Sequence, residues 1–167
     1  MKLLHPTAMF EKISEITPEI LKSHGILALI LDVDNTLAAH GCPRPNKDAL
    51  SWLETMKRAG IKLVIASNNT NGRVEPFAKL LSLDYAANAM KPLPAGFSRI
   101  SKRMGLPPSS FGVVGDQIFT DVLGGNLFGA KTFFVKPLSD KEILSIKLKR
   151  KIEARILKAY GRKENLR

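Results

Sequence analysis

The chain has 167 residues, 44% of them hydrophobic and 25% charged, which fits one globular domain with a sizeable core and excludes a disordered, collagen-like or disulfide-stapled chain. Its one cysteine, Cys42, excludes an internal disulfide and a multi-cysteine zinc site and suits a reducing cytoplasm, and its longest apolar run, residues 26–31, falls far short of the roughly 20 residues that span a bilayer. The 26 basic and 15 acidic residues leave a formal charge of +11, and residues 131–167 alone hold twelve bases against four acids; such a run points to an anionic partner, whether nucleic acid, an acidic membrane surface or a phosphorylated substrate.

Taken in chain order, residues 1–24 read as a helical lead-in. Acids and Pro6 interrupt the apolar stretch that a secretory signal needs, and Thr17-Pro18-Glu19 reads as an N-cap with proline in the first helical position, stopped at Gly25. Residues 26–32 are apolar and β-compatible. A helix is predicted over 46–59, with Asn46 as N-cap and Gly60 as stop. A buried strand follows over 61–66, a helix over 72–83 and a short strand over 85–89. The helix predicted over 93–104 ends at Gly105 and Pro107-Pro108. A strand over 111–115, a helix over 118–128 and a strand over 131–135 complete the alternation. Strands alternating with helices predict an α/β fold with a mostly parallel sheet. In the tail, 139–167, Ser139 and Glu142 form a capping box. It opens a basic amphipathic helix whose apolar stripe is Leu144, Leu148, Ile152 and Ile156, surrounded by Lys147, Lys149, Arg150, Lys151, Arg155 and Lys158.

The chemistry gathers at the carboxyl ends of the predicted strands, where open α/β sheets bind ligands. The first ends in Asp32-Val33-Asp34-Asn35-Thr36, whose two carboxylates are expected on one side. The second ends in Ser67-Asn68-Asn69, Lys91-Pro92 follows the third, and the fourth ends in Gly115-Asp116 with Asp121 five residues later. Asp32, Asp34, Asp116 and Asp121 are half of the eight acids in residues 31–130. At about 4 Å and an effective dielectric near 20, each pair of like charges costs about 4 kcal/mol. Gathering them at one edge therefore requires a cation. Mg²⁺ is suited to this, because it takes a few carboxylates together with substrate phosphate and water. Lys91 and Ser67 would then meet phosphoryl oxygens, and an aspartate is a competent nucleophile toward phosphorus. A strand-to-loop Asx turn is the plain alternative for DVDNT. A calcium loop is excluded, because its sixth and twelfth positions need Gly and Glu where the chain has Leu37 and Pro43. No GxxxxGK[ST] phosphate loop is present. Asn35, Asn68, Asn69 and Gln117 read as supporting hydrogen-bonders, and His40 and Cys42 as side chains of a Gly/Pro-rich loop.

This set resembles the haloacid dehalogenase (HAD) superfamily of phosphotransferases along residues 25–136. DVDNT is similar to its first motif, DxDxT, Ser67 to its second, Lys91 to its third and GDQIFTD to its fourth. DVDNTL, SNN, the KP of MKPLP and VGDQIFTDVLGGN look like the YqeG branch of the subfamily IIIA phosphatases, which includes mitochondrial and plastid phosphatidylglycerophosphate phosphatases. The resemblance implies a Rossmann-like three-layer sandwich over a 25–138 core, with a parallel five-stranded sheet in the order 5-4-1-2-3 and no large cap domain. It implies that Asp32 attacks phosphorus. Asp34 would protonate the leaving alcohol, then deprotonate the hydrolytic water, and bind Mg²⁺ through its backbone carbonyl. Ser67 and Asn68, with nearby backbone donors, would bind the phosphoryl group, and Lys91 would offset charge on nucleophile and phosphate. Asp116 and Asp121 would join Asp32 in holding Mg²⁺, and Thr36 would support the loop.

The intervals 37–61 and 69–91 leave space for little more than one helix each, so the site is expected to be open. A basic amphipathic helix can lie on an acidic bilayer, each nearby Lys or Arg contributing about 1 kcal/mol. An anionic phospholipid such as phosphatidylglycerophosphate fits these features, with the protein cytoplasmic and peripheral on the inner face of the membrane. The alternatives are a soluble phosphatase for phosphoproteins, nucleotides or nucleic-acid ends, and an RNA- or ribosome-binding module on the same scaffold. For the tail, the alternative to the bilayer is packing of its stripe on the sheet.

Overall fold

A computed structural model of the chain describes residues 2–139 and 152–158. Its regular elements, in chain order, are β1 (Ala8–Phe10), α1 (Pro18–Ser23), β2 (Ala28–Leu31), α2 (Lys47–Arg58), β3 (Lys62–Ala66), α3 (Asn71–Leu81), β4 (Asp84–Ala86), α4 (Ala95–Met104), β5 (Phe111–Gly115), a π-helical turn at Ile118–Val122, α5 (Leu123–Phe128) and β6 (Lys131–Val135). The strands form one all-parallel sheet in the order β1-β6-β5-β2-β3-β4.

Alternation along the strands divides their side chains between two cores. Leu29, Leu31, Leu63 and Ile65 pack with Trp52, Leu53 and Met56 of α2 and Phe77 and Leu81 of α3. Ala28, Ile30, Val64 and Ala66 face the other way, onto Phe97 and Ile100 of α4 and Phe128 of α5. The result is the predicted three-layer sandwich. Phe77, Phe97, Phe111 and Phe133 are the largest fully buried side chains among the described residues, each contributing about 1.5–3 kcal/mol. Helix starts follow from their caps. Thr17 Oγ1 accepts from the Ile20 N–H at 3.4 Å, and Asn46 Oδ1 accepts from the Ala49 N–H at 2.6 Å.

The five predicted strands keep their predicted order, but the sheet has six. The addition is β1, inside the lead-in expected to be helical. Three residues carry too little alternation to mark a strand. What makes it one is β6: the Thr7 N–H donates to the Thr132 carbonyl at 2.7 Å and the Lys136 N–H to the Phe10 carbonyl at 3.1 Å. The Trp52 Nε1–H donates to the Ile16 carbonyl at 2.7 Å and ties the lead-in to α2. The helix predicted over 118–128 is divided, its first five residues forming the π-helical turn.

Of the tail, residues 152–158 are helical. Ile156 and Leu157 pack against Ile118, Val122 and Phe134, Glu153 is buried, and Ile152 is 48% exposed. The seated face is therefore Glu153, Ile156 and Leu157, rotated by one residue from the predicted stripe. Arg155 and Lys158 are exposed. The predicted Glu142, Leu144, Lys147, Leu148, Lys149, Arg150 and Lys151 lie outside the described residues.

Candidate active site

The carboxyl end of β2, in mid-sheet, sets the geometry. The Asp32 N–H donates to the Val114 carbonyl at 3.0 Å, carrying the ladder one residue past the strand. The chain then turns: Asn35 is in the left-handed region at φ 63°, which asparagine tolerates better than most residues, and its N–H donates to the Ala38 carbonyl at 2.6 Å. The two carboxylates line one cleft but take different partners. Asp32 faces Lys91. Asp34 accepts from the Gly41 N–H at 3.0 Å, from Asn69 Nδ2 at 2.6 Å and from Arg73 at 3.1 Å.

Asp32, Asp116 and Asp121 converge, each offering a carboxylate oxygen within 4.8 Å of the others. Asp116 follows β5 directly, is fully buried, and accepts from Thr36 Oγ1 at 3.3 Å. Asp121 reaches back from the π-helical turn, where the Gln117 N–H donates to its Oδ2 at 3.2 Å. Gly115 makes room for it: a Cβ there would lie 2.3 Å from the Asp121 Cγ. Lys91 Nζ sits 2.6 Å from both Asp32 Oδ1 and Asp121 Oδ1, with its side chain 4% exposed. Burial pushes the Asp32 carboxyl up to about 6, against the pull of Lys91 and with a further push from Asp121. Burial also disfavours the Lys91 ammonium, but Asp121 and Asp32 outweigh it and hold its pKa above the ordinary lysine range.

Ser67 is buried at the end of β3, and its Oγ accepts from the Asn69 N–H at 3.2 Å. Asn68, expected to bind phosphate, is hydrogen-bonded to the Lys91 backbone. Its Oδ1 accepts from the Lys91 N–H at 2.7 Å and its Nδ2 donates to the Lys91 carbonyl at 2.9 Å. This two-point clamp positions Lys91, across a cis Lys91-Pro92 bond, and uses one of the two Nδ2 hydrogens, so the amide keeps a second donor. Asp32, Asp34, His40, Ser67, Lys91 and Gln117 are among the residues around a cleft of about 170 Å³. A larger hollow of about 630 Å³, lined by Ile26, Leu27, Ile61 and Leu106, lies at the opposite end of the sheet and is mainly apolar. Volume thus does not mark the reactive site, whereas the carboxylates do.

Sequence reasoning missed Arg73. Besides Asp34, it donates to the Cys42 carbonyl at 2.7 Å and lies 5.5 Å from the centroid of the Phe77 ring. Its position in the first turn of the helix after Ser67-Asn68-Asn69 was the available signal.

The donor set fits a divalent cation. Three carboxylates against one ammonium leave two negative charges when all are ionised, and every donor is a hard oxygen. Asp34 takes no part through its carboxylate, which is paired with Arg73.

Comparison with known proteins gives a consistent result. The haloacid dehalogenase-like hydrolase family matches residues 9–129. The chain is 37% identical over 165 residues to a probable phosphatase, YqeG, of Bacillus subtilis, covering 99% of this chain and 96% of that protein. It is 28% identical over 155 residues to the chloroplastic and mitochondrial phosphatidylglycerophosphate phosphatase 1 of Arabidopsis thaliana, covering 87% of this chain and 44% of that protein. Among solved structures, an uncharacterised Listeria monocytogenes protein superposes with a TM-score of 0.58 at 18% identity, over 71% of this chain and 85% of that one. The cobalt-bound deoxy-D-mannose-octulosonate 8-phosphate phosphatase of Haemophilus influenzae superposes with a TM-score of 0.54 at 16% identity, over 84% and 92%. At these identities the two structures share its fold.

Proposed function

The chain belongs to the haloacid dehalogenase-like hydrolases and is a phosphatase of that family, and from this premise we propose that it hydrolyses phosphate monoesters through an aspartyl-phosphate formed on Asp32. The observation that carries the proposal is Lys91 Nζ at 2.6 Å from Asp32 beside the carboxylates of Asp116 and Asp121. Asp32, Asp116 and Asp121, with the backbone carbonyl of Asp34, would hold Mg²⁺, which when bound neutralises charge on the phosphate and orients it. Asp32 attacks phosphorus, and the P–O bond to the alcohol breaks as the new P–O bond forms. Asp34 gives a proton to the departing alkoxide. It then takes one from the water that attacks the aspartyl-phosphate, releasing phosphate and restoring Asp32. Arg73 and Asn69 keep Asp34 at the cleft. Lys91 offsets charge on Asp32 and the incoming phosphate, and Ser67 binds phosphoryl oxygens. This is positioning and charge stabilisation rather than elaborate chemistry.

For the substrate we propose a phospholipid monoester, phosphatidylglycerophosphate, met at the inner face of the membrane by a cytoplasmic, peripheral protein. Three observations support this reading. One similar protein carries that substrate in its name. Between β2 and β3, and between β3 and β4, the chain has one helix each, so a large headgroup can approach the cleft. Residues 131–167 hold twelve bases against four acids, and among the described residues no helix is long and apolar enough to cross a membrane. Phosphate release from phosphatidylglycerophosphate in anionic vesicles, measured beside nucleotides, a phosphopeptide and 5′-phosphorylated RNA, tests it. The lipid is expected to be turned over most efficiently, with Mg²⁺ and not by Asp32→Asn. Faster turnover of a soluble substrate would contradict the lipid assignment and leave the phosphatase mechanism standing.

A further inference from the structure

The turn that carries Asp121 is held from outside the catalytic core. In the π-helical turn the N–H groups of Asp121 and Val122 both donate to the Gln117 carbonyl, at 3.0 and 3.2 Å. The opening N–H groups of a helical turn have no partner within it. That of Phe119, two residues before Asp121 and three after Asp116, donates to Glu153 Oε1 at 3.2 Å, from 34 residues away in sequence. Glu153 is 2% exposed. Its helical neighbours Ile156 and Leu157 pack on Ile118 and Val122 of the same turn and on Phe134. Burying a carboxylate is costly unless it is hydrogen-bonded. Here its Oε1 accepts from a backbone donor, and it is one of only four acids in the 37 residues of a strongly basic tail.

We infer that Glu153 is a positioning residue for the metal site, its carboxylate anchoring the Phe119 N–H so that Asp121 is presented to Asp32 and Asp116, a role that rests on the metal reading above. The tail thereby supplies an acceptor to the opening of the turn. Glu153 lies beyond residue 129, where the family match stops, so this support comes from outside the shared catalytic segment.

Two readouts on the full chain test it: Mn²⁺ affinity followed by electron paramagnetic resonance, and hydrogen exchange of the Ile118–Val122 amides in metal-free protein. Glu153→Ala is expected to weaken Mn²⁺ binding about tenfold, within the range typical of groups behind metal ligands, and to speed exchange of the Phe119 amide about as much. Glu153→Gln keeps an oxygen that accepts from the Phe119 N–H and is expected to stay within about twofold of the parent in both. Ile152→Ala, on the exposed face of the same helix, is expected to change neither. Unchanged Mn²⁺ affinity in a folded Glu153→Ala variant would overturn the inference, as would equal losses in the Gln and Ala variants. If Glu153→Ala does not fold, Ile156→Ala, which loosens the same seat, is expected to show both losses, and its failure to do so counts equally against the role. A parent protein that takes up no Mn²⁺ overturns the metal reading itself, and with it the role of Glu153. Faster Phe119 exchange would then report only the anchor.

Discussion

Lys91 decides the electrostatics of the site. It is the cation shared by Asp32 and Asp121, at 2.6 Å from each, and removing one partner of a buried ion pair costs about 3–5 kcal/mol. Lys91→Met is therefore expected to destabilise the metal-free protein by about 3 kcal/mol in a urea melt, and an unchanged midpoint would contradict the arrangement. The pH dependence follows from Asp32, held near 6 by burial, above the ordinary carboxylate value of about 4. The folded state favours its neutral form, so this contribution to stability is complete below about pH 4 and is lost as the pH rises through about 6. A bound cation needs the ionised form. The rise in melting temperature on adding Mg²⁺ should accordingly grow from about pH 5 to about pH 7, and a rise independent of pH would exclude Asp32 as a ligand. Arg73 acts on Asp34. Arg73→Ala is expected to lower kcat about tenfold on an alkyl phosphate, whose alkoxide needs a proton, and much less on p-nitrophenyl phosphate, a part of the roughly 10²–10⁴-fold that acid–base assistance supplies, because Arg73 only positions the acid. At this scale the sequence named the carboxylates, Lys91 and Ser67, because strand ends concentrate polar residues against apolar runs. It could not show that Asp34 pairs with Arg73 or that the Asn68 amide clamps the Lys91 backbone, since both contacts join segments that only the fold brings together.

Between β5 and α5 the backbone itself builds the site. The glycine before Asp116 lets the Asp121 side chain fold back over the strand end, where a Cβ would lie 2.3 Å from its Cγ. Gly115→Ala therefore forces Asp121 or the turn to move. Expected are a loss of about 1–3 kcal/mol of stability and Mg²⁺ affinity weakened at least about tenfold, by calorimetric titration, with normal affinity as the contrary result. The elements themselves were largely readable, since caps such as Asn46 and stops such as Gly60 mark the helices and apolar runs mark β2, β3, β5 and β6. The π-helical turn was not, because an apolar spacing of three to four residues does not distinguish it from the first turn of an α-helix. β1 was not readable either, as its backbone partners lie more than 120 residues away, on and beside β6.

For the molecule as a whole, the parallel order β6-β5-β2-β3-β4 places four motifs, distant in sequence, at one edge. That order followed from the family resemblance, while the alternation of elements gave the class. The charge of the tail belongs to this scale too. If the basic residues meet a lipid surface, flotation with phosphatidylglycerol vesicles should exceed that with neutral phosphatidylcholine vesicles and fall steeply with added salt, since exposed charges are screened beyond about 8–10 Å. Equal binding to both vesicle types would remove the membrane from the account. The seat of residues 152–158 was legible as an amphipathic stripe but not in its phase, which Glu153 and its bond to Phe119 set.

In the proposed mechanism Asp32 accepts the phosphoryl group and Asp34 is needed to release it. The Asp34→Asn variant mixed with p-nitrophenyl phosphate and Mg²⁺ separates the two steps, because this leaving group needs little protonation. Expected is a burst of about one p-nitrophenolate per chain, then slow turnover, with a phosphoryl group mapped by mass spectrometry of the acid-quenched protein to the peptide containing Asp32. No burst and no covalent phosphate, or a phosphoryl group on another residue, would contradict it.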